Sequence, residues 1–521
     1  MNKNNENEKN FCSYIRDELD TFMFDFDEEE QDMTNINENN GLTLNGCPTN
    51  ITSGNACIDL FFCAGSSRNM SASDINDLVI RSYAENPDLT MKIIFFARDV
   101  RGGLGERKFF RTAVDTLVKT APDSVKKNMQ YIAEYGRFDD ILPLLSTPLA
   151  DDAVKLIKAQ LDKDIDAMKN GEKVSLLAKW LPSVNTSSAE KNKQGKKLAA
   201  KLGMRECRYR KTLSALRRYI DIIENRLRES DYTFKYEIQP SRAMLKYRKA
   251  FIRNDKERYT EYINMVNSGE KKINAGCLYP YDIVRACMGY NIPDTEISAL
   301  DAQWKALPEI GSSANENSLV VLDGSGSMYC NYFAKDGIRP IDAAISLGIY
   351  FAERNKGAFA NNFITFSMHP KLVEVKGENI LDKVKYCMAF NECANTNLEA
   401  VFDLILRTAI KRRIAQAEMP EKLYIISDME FDYCVKGGSD ATLYENMKER
   451  YAEYGYKLPE IVFWNVNSRS GNLPVTVKDN GTALVSGYTP AIFDLVAGGE
   501  ISPEKVMYDA VNAERYAPVS A

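Results

Sequence analysis

One histidine in 521 residues, His369, leaves no material for a His-rich metal centre or for paired histidine acid/base chemistry. A Ser-His-Asp triad would have to recruit that imidazole, which follows an apparent strand, Phe363–Ser367, and precedes Pro370 in a turn context. No Cys-x-x-Cys pair occurs among the eleven cysteines, and an odd, scattered number points to reduced thiols, with neither a disulfide framework nor a zinc knuckle. There is no uninterrupted apolar run of about 18 residues, so no membrane span is expected. The amino-terminal residues also lack the basic patch and apolar run of a secretory signal, and a cytoplasmic protein is the expectation. A Gly-x-Ser-x-Gly nucleophile elbow is absent. The glycine-rich Arg101–Lys108 lacks Walker spacing and sits between helical stretches, where a helix-to-helix turn accounts for it.

What is present is the composition of a globular chain, 44% hydrophobic and 27% charged. At roughly 150 residues per domain, at least two domains are expected. The net charge of -6 hides a segregation. Residues 1–40 carry twelve Asp/Glu against three Lys/Arg and read as a disordered acidic tail. Residues 191–258 carry twenty-one Lys/Arg against eight Asp/Glu, the mark of a surface that meets an anion.

From about Gly54 the apolar spacing is helical, and helix follows helix through Asn170, then through 193–202, 208–228, 242–254 and 255–268, with Gly and Pro breaks between them. Such a series packs as a curved solenoid or irregular bundle. Around Asn315 the character changes. Short apolar runs at 318–322, 362–366, 423–426, 461–466 and 482–486 alternate with helical stretches at 341–354, 397–410 and 439–454, which predicts a doubly wound parallel sheet. Ligands bind such sheets at the carboxyl ends of the strands. The expected organisation is a tail over 1–40, a helical repeat domain over 41–313 and an α/β domain over 314–521.

At the end of the first of those strands stands Asp323-Gly-Ser-Gly-Ser327, with side-chain oxygens at i, i+2 and i+4 in a tight turn. Two further loops offer Asn395–Asn397, including Thr396, and Ser427–Asp428. Asp323, Ser325, Ser327, Thr396 and Asp428 together are hard oxygen donors suited to Mg²⁺, with Mn²⁺ or Ca²⁺ as substitutes. An isolated Asp-Gly-Ser-Gly-Ser would read as a capped polar turn; three loops at one sheet edge favour a cation. Glu430 and Asp432 read as solvated or salt-bridged. In the helical half, cations interleave with aromatics at Tyr209–Lys211, Arg217–Tyr219 and Lys246–Lys249, a pattern suited to phosphates and unpaired bases; the charge density favours anion binding over the blander account of a solvated helix face with inward rings.

The metal motif resembles the adhesion site of von Willebrand factor A domains, whose pattern is Asp-x-Ser-x-Ser, then Thr, then Asp. Together with Leu42–Leu60, Phe96–Arg107, Tyr135–Asp140, Ala178–Ser183, Tyr209–Lys211 and Lys272–Gly276, the chain resembles the Ro/TROVE group, closest to its Ro-like proteins, over roughly residues 40–510. The resemblance implies a multidomain fold: a ring or solenoid of HEAT-like helical repeats followed by a Rossmann-like von Willebrand factor A domain. It also implies a non-enzymatic RNA-binding protein that holds small structured or single-stranded RNA. A nuclease or other protein would then dock an acidic residue on the Mg²⁺. Charge alone nominates Arg98, Arg101, Arg107, Lys108, Arg137, Lys179, Arg208, Arg210, Lys211, Arg217, Arg218, Lys246, Arg248 and Lys249 as RNA contacts. The competing expectation is a metal-dependent protein scaffold without RNA. A metal-dependent nuclease or phosphatase ranks behind both, because no nucleophile or second acid can be assigned.

Overall fold

The computed structural model describes residues 40–42, 48–220, 222–309, 317–329, 338–390, 397–429, 443–468, 473–475, 481–490, 492–496 and 501–521. The acidic tail expected over 1–40, and the domain boundary expected at 313, lie outside these residues save for Asn40.

Helices in the first region start where their caps say they should. Asn55 accepts from the Cys57 and Ile58 N–H groups to open Ala56–Ala64, and Ser71 forms a reciprocal box with Asp74 at the start of Ala72–Glu85. Asn86 and Pro87 then open Pro87–Arg98. Helices continue at Arg107–Thr120, Ala150–Lys169, Ala189–Lys201, Glu206–Tyr219, Ser241–Asn254, Lys256–Asn267, Pro280–Cys287 and Asp294–Lys305. The expected helix over 208–228 divides into Glu206–Tyr219 and Ile223–Arg228. Ile220 and Ile222 are extended, and the Asn225 amide donates to the carbonyls of Arg217 and Ile220, so a side chain takes over where helical bonding stops.

The glycine-rich stretch after Arg98 is a helix-to-helix turn. Leu104 and Glu106 N–H groups bond back to the Phe96 and Ala97 carbonyls. Gly103 is required there because a Cβ would lie 2.0 Å from the Phe96 oxygen. Arg98 itself points inward. Its guanidinium meets Asp140 at 2.7 Å, and both side chains are buried. A Cβ on Gly136 would stand 2.7 Å from Asp140 Oδ2 and 2.9 Å from Arg98 Nε. Gly136→Ala should therefore lower stability by about 1–3 kcal/mol through overpacking, seen as an earlier urea midpoint with an unchanged slope.

In the second region, β1 (Ser318–Asp323) is buried along its whole length, as a strand covered on both faces must be. It pairs in parallel with β2 (Asn362–Phe366) and with β4 (Lys422–Ser427). Outward from β4 lie β5 (Glu460–Asn465) and β6 (Thr482–Ser486), also parallel, giving the order β3-β2-β1-β4-β5-β6. The sheet is mixed, not wholly parallel, because β3 (Leu372–Glu374) pairs antiparallel with β2. Three residues behind a short turn carry too little periodicity to announce themselves. Helix Pro340–Ala352 packs onto β1 at Gly348, where a Cβ would come within 2.4 Å of Leu322 Cδ1.

Gly41–Ala521 pack as one compact unit. Gly65, at the end of the first helix, donates to Ser486 Oγ at 2.9 Å, and a Cβ there would collide with the Ser486 carbonyl. Ser66 and Asn69 bond to Ser468 and Asn467 beyond β5. From the other direction, Arg515 and Tyr516 return to the buried Asp99 carboxylate.

Candidate functional site

Parallel register sets the site. Leu322 lies beside Thr365 and Ile426, and Asp323 beside Phe366, so β1, β2 and β4 end at one level. The strand order reverses beside β1, between β2 on one side and β4 on the other, which is the position at which open α/β sheets bind ligands. Asp323 is 1% exposed. Its Oδ1 accepts the Ser325 N–H at 2.8 Å, and its Oδ2 accepts the Ser427 hydroxyl at 2.5 Å. Ser325 Oγ and Ser327 Oγ stand 2.9 Å apart. Ser427 Oγ in turn accepts the Met429 N–H at 3.0 Å. Met429 holds φ 65°, a left-handed conformation that costs a non-glycine residue about 1–2 kcal/mol. Asp428, directly before it, is 2% exposed.

Of the five residues expected at a cation, Asp323, Ser325 and Ser327 follow one strand and Asp428 follows its neighbour, all at the carboxyl ends. Thr396, with Asn395, Glu430 and Asp432, lies outside the described residues. The motif omits Ser427, whose hydroxyl fixes the Asp323 carboxylate; its signal is a hydroxyl residue directly before Asp428 at a strand end. Among the described residues there is no group of three or more His, Cys, Asp and Glu that could hold a metal. The set at Asp323 has two carboxylates and relies on hydroxyls. Such a donor set fits Mg²⁺ or Mn²⁺, which take hard oxygens and keep several waters, and would leave positions for an incoming acidic oxygen.

The fourteen cations nominated by charge separate into two groups. Arg98 is enclosed with Asp140 and is removed from any exposed surface. Arg217 donates to the Ala178 and Leu181 carbonyls and to Ser183 Oγ at 2.6–2.7 Å, tying Ala178–Ser183 to its own helix. Burial lowers its pKa, with the Tyr209 phenol acting against that. Arg248 is paired with the buried Glu296 at 2.8 Å, and Lys249 reaches the same carboxylate at 4.0 Å. Lys108 donates to the Arg68 and Met70 carbonyls, and Arg101 to the Glu134 carbonyl. Arg107 and Arg137 share Asp139, with Arg137 also 4.1 Å over Trp180, and Lys179 pairs with Glu224 at 3.4 Å. Lys246 is exposed and lies 4.7 Å from the Tyr247 ring.

Arg208, Arg210, Lys211 and Arg218 form the second group, exposed like Lys246 but without its ring contact. All are exposed, and none makes an ion pair among the described residues. Lys191, Lys193, Lys197 and Arg205 share that character on the adjoining helix Ala189–Lys201 and its following turn. The aromatics do not follow the cations outward. Tyr209 is fully buried with its hydroxyl on the Pro182 carbonyl, and Phe251 is fully buried in a second hydrophobic cluster. Tyr219, 38% exposed, remains at the helix end. An open cleft of about 390 Å³ lies in that second cluster, between Phe234, Tyr236, Arg258, Glu261, Tyr262 and Lys271; none of the oxygens around Asp323 lines it.

A helical region joined to a mixed six-stranded sheet, with an oxygen-donor cluster at the central strand ends, is the class of protein these observations define. The chain belongs to the family described as "Domain of unknown function (DUF2828)", which matches residues 43–155 and 138–310. A second description, "Domain of unknown function (DUF7788)", matches residues 317–516 and so takes in the sheet. The chain is also similar to "Uncharacterized protein L728" of Acanthamoeba polyphaga mimivirus, at 29% identity over 509 residues, 89% of this chain and 85% of the viral protein. Neither family description states a ligand or an activity.

Proposed function

We propose that this chain is a non-catalytic, cytoplasmic RNA-binding protein with a second, cation-dependent docking site for a partner's acidic residue. The observation that carries the RNA half is the set of exposed cations on Ala189–Lys201 and Glu206–Tyr219 that make no ion pair among the described residues. Arg208, Lys211 and Arg218 recur at i, i+3 and i+10, one face of a helix. Their use is phosphate contact, because the buried Tyr209 and Phe251 cannot stack on bases. The helical series supports a Ro-like, HEAT-like arrangement, and the strand order with Asp323, Ser325, Ser327 and Asp428 supports a von Willebrand factor A-type domain holding Mg²⁺. Among the described residues no helix is long and apolar enough to cross a membrane.

Titration of a fluorescent single-stranded RNA over a salt series tests the first half. Binding should weaken with a logarithmic slope of about -0.7 per phosphate contacted; salt-insensitive or absent binding would refute it. Mn²⁺ titration read by electron paramagnetic resonance tests the second. Asp323→Ala should reduce Mn²⁺ affinity at least about 100-fold, since it removes a charged ligand and frees Ser427 from its hydrogen bond. Mg²⁺-dependent hydrolysis of RNA or phosphoesters that Asp323→Ala abolishes would instead identify an enzyme. The buried rings keep a second reading in view, a cation-dependent protein scaffold without RNA. It wins if RNA binding is negligible while a protein partner is captured only with Mg²⁺.

A further inference from the structure

We propose that Arg107, with Arg111 and Arg137, forms a site for a terminal phosphate monoester, the 5′ or 3′ end of a single-stranded RNA. This rests on the RNA reading above and adds a strand end to what the basic helices hold. Three stretches far apart in the sequence meet here: the start of helix Arg107–Thr120, the turn Arg137–Asp140 and the short helix Leu177–Trp180. The three guanidiniums converge on the Asp139 carboxylate. Arg137 takes it in a two-point fork, Nε to Oδ1 and Nη2 to Oδ2, at 2.9 Å each. Arg111 spans Asp139 and Asp140, at 3.0 Å and 2.8 Å. Arg107 is left over. It stands 3.9 Å from Asp139 Oδ2, its side chain is 46% exposed, and its guanidinium makes no hydrogen bond among the described residues.

Charge decides what can sit there. With Arg98 enclosed on Asp140, four guanidiniums face two carboxylates, an excess of two positive charges. Burial, then the charges of Arg137 and Arg111, lower the Arg107 pKa against the pull of Asp139 and Asp140. A phosphate monoester carries close to two negative charges near neutral pH, whereas a backbone diester carries one, so a chain end balances the excess and an internal phosphate does not. Arginine forks also match phosphate oxygens two at a time. The Trp180 ring, 4.1 Å from the Arg137 guanidinium, holds that fork in place. The same short helix joins the cluster to the basic face. Arg217 donates to the Ala178 and Leu181 carbonyls from the helix that carries Arg208, Lys211 and Arg218. Both basic surfaces thus adjoin one helix, about 10 Å across with its side chains, which favours the end of a bound strand over an isolated phosphorylated side chain.

Fluorescence titration of the full-length protein tests this with one short single-stranded RNA made in three forms: with a 5′-phosphate, with a 3′-phosphate, and with hydroxyls at both ends. One phosphorylated form should bind about 10–100-fold more tightly than the hydroxyl form, the value of hydrogen bonding to a charged group, and which form does so names the end. Arg107→Gln should collapse that ratio toward one, and Arg107→Lys should keep part of it. Arg208→Gln should weaken all three RNAs and leave the ratio standing. Lowering the pH through about 6, where the monoester takes up its second proton, should shrink the ratio. Arg107→Gln should melt no lower than the native protein, because it removes a half-exposed cation crowded by two others. Equal binding of the three RNAs overturns the proposal. So does a ratio that survives Arg107→Gln, or a lower melting temperature in that variant, which would mark the guanidinium as structural. A phosphoserine peptide that binds more tightly than the phosphorylated RNA overturns the choice of RNA. If no form of the RNA binds, the RNA reading and this inference fall together; RNA binding without an end preference removes this inference alone.

Discussion

Arg98→Ala should destabilise the protein by about 3–5 kcal/mol, enough to unfold a typical domain at moderate denaturant, because it leaves the Asp140 carboxylate charged, buried and short of its closest cation. Asp140 is fully enclosed and also accepts from Arg111 Nε at 2.8 Å and from the Arg137 N–H at 3.1 Å. Those bonds would persist in the variant, but neither sits where the Arg98 guanidinium does. The controlled comparison is Arg98→Met with Asp140→Asn, which removes both charges while keeping most of the volume. That pair should recover a large part of the loss, since a buried ion pair is often no better than apolar packing of similar size. Urea unfolding of both variants decides it. A single Arg98→Ala loss below about 1 kcal/mol would mean that water reaches the pair.

Replacing Arg208, Arg210, Lys211 and Arg218 together by Gln should weaken RNA binding by roughly 10²–10³-fold at 0.1 M salt and reduce the logarithmic salt slope by about 3. These side chains are exposed and outside every internal ion pair among the described residues, so the fold should be unaffected and the melting temperature should stay put. Arg217, one residue from Arg218, is the internal control. Its guanidinium is committed to Ala178, Leu181 and Ser183, so Arg217→Gln should lower stability while leaving the salt slope intact. The opposite pattern would place the RNA surface elsewhere.

The sheet was legible because its strands are buried on both faces and read as uninterrupted apolar runs: the run at 362–366 is strand β2 residue for residue, and 318–322 ends one residue short of Asp323. The oxygen cluster was legible for a related reason, since side chains at the carboxyl ends of adjacent parallel strands must meet. Strand β3 escaped because three residues carry no period, and Ser427 escaped because its hydroxyl serves Asp323 across a strand gap of 104 residues. The basic face was only partly legible. Charge counts see Arg98 and Arg208 as equals, whereas one is sealed against Asp140 and the other stands in solvent. What separates them is the position of an acidic partner 42 residues downstream, a long-range fact that local composition does not hold.

The Asp99 carboxylate, held by Arg515 and Tyr516, also has a consequence for how the chain is made. Its cation lies 416 residues downstream, so at about 5–20 residues per second a nascent chain waits roughly 20–80 s for it. Over that interval the turn after Arg98 presents an unmatched negative charge, and the end of helix Ala56–Ala64 lacks the strand that will cover Gly65. The contacts that close around Asp99 and Gly65 are therefore among the last that a chain made from its amino terminus can form.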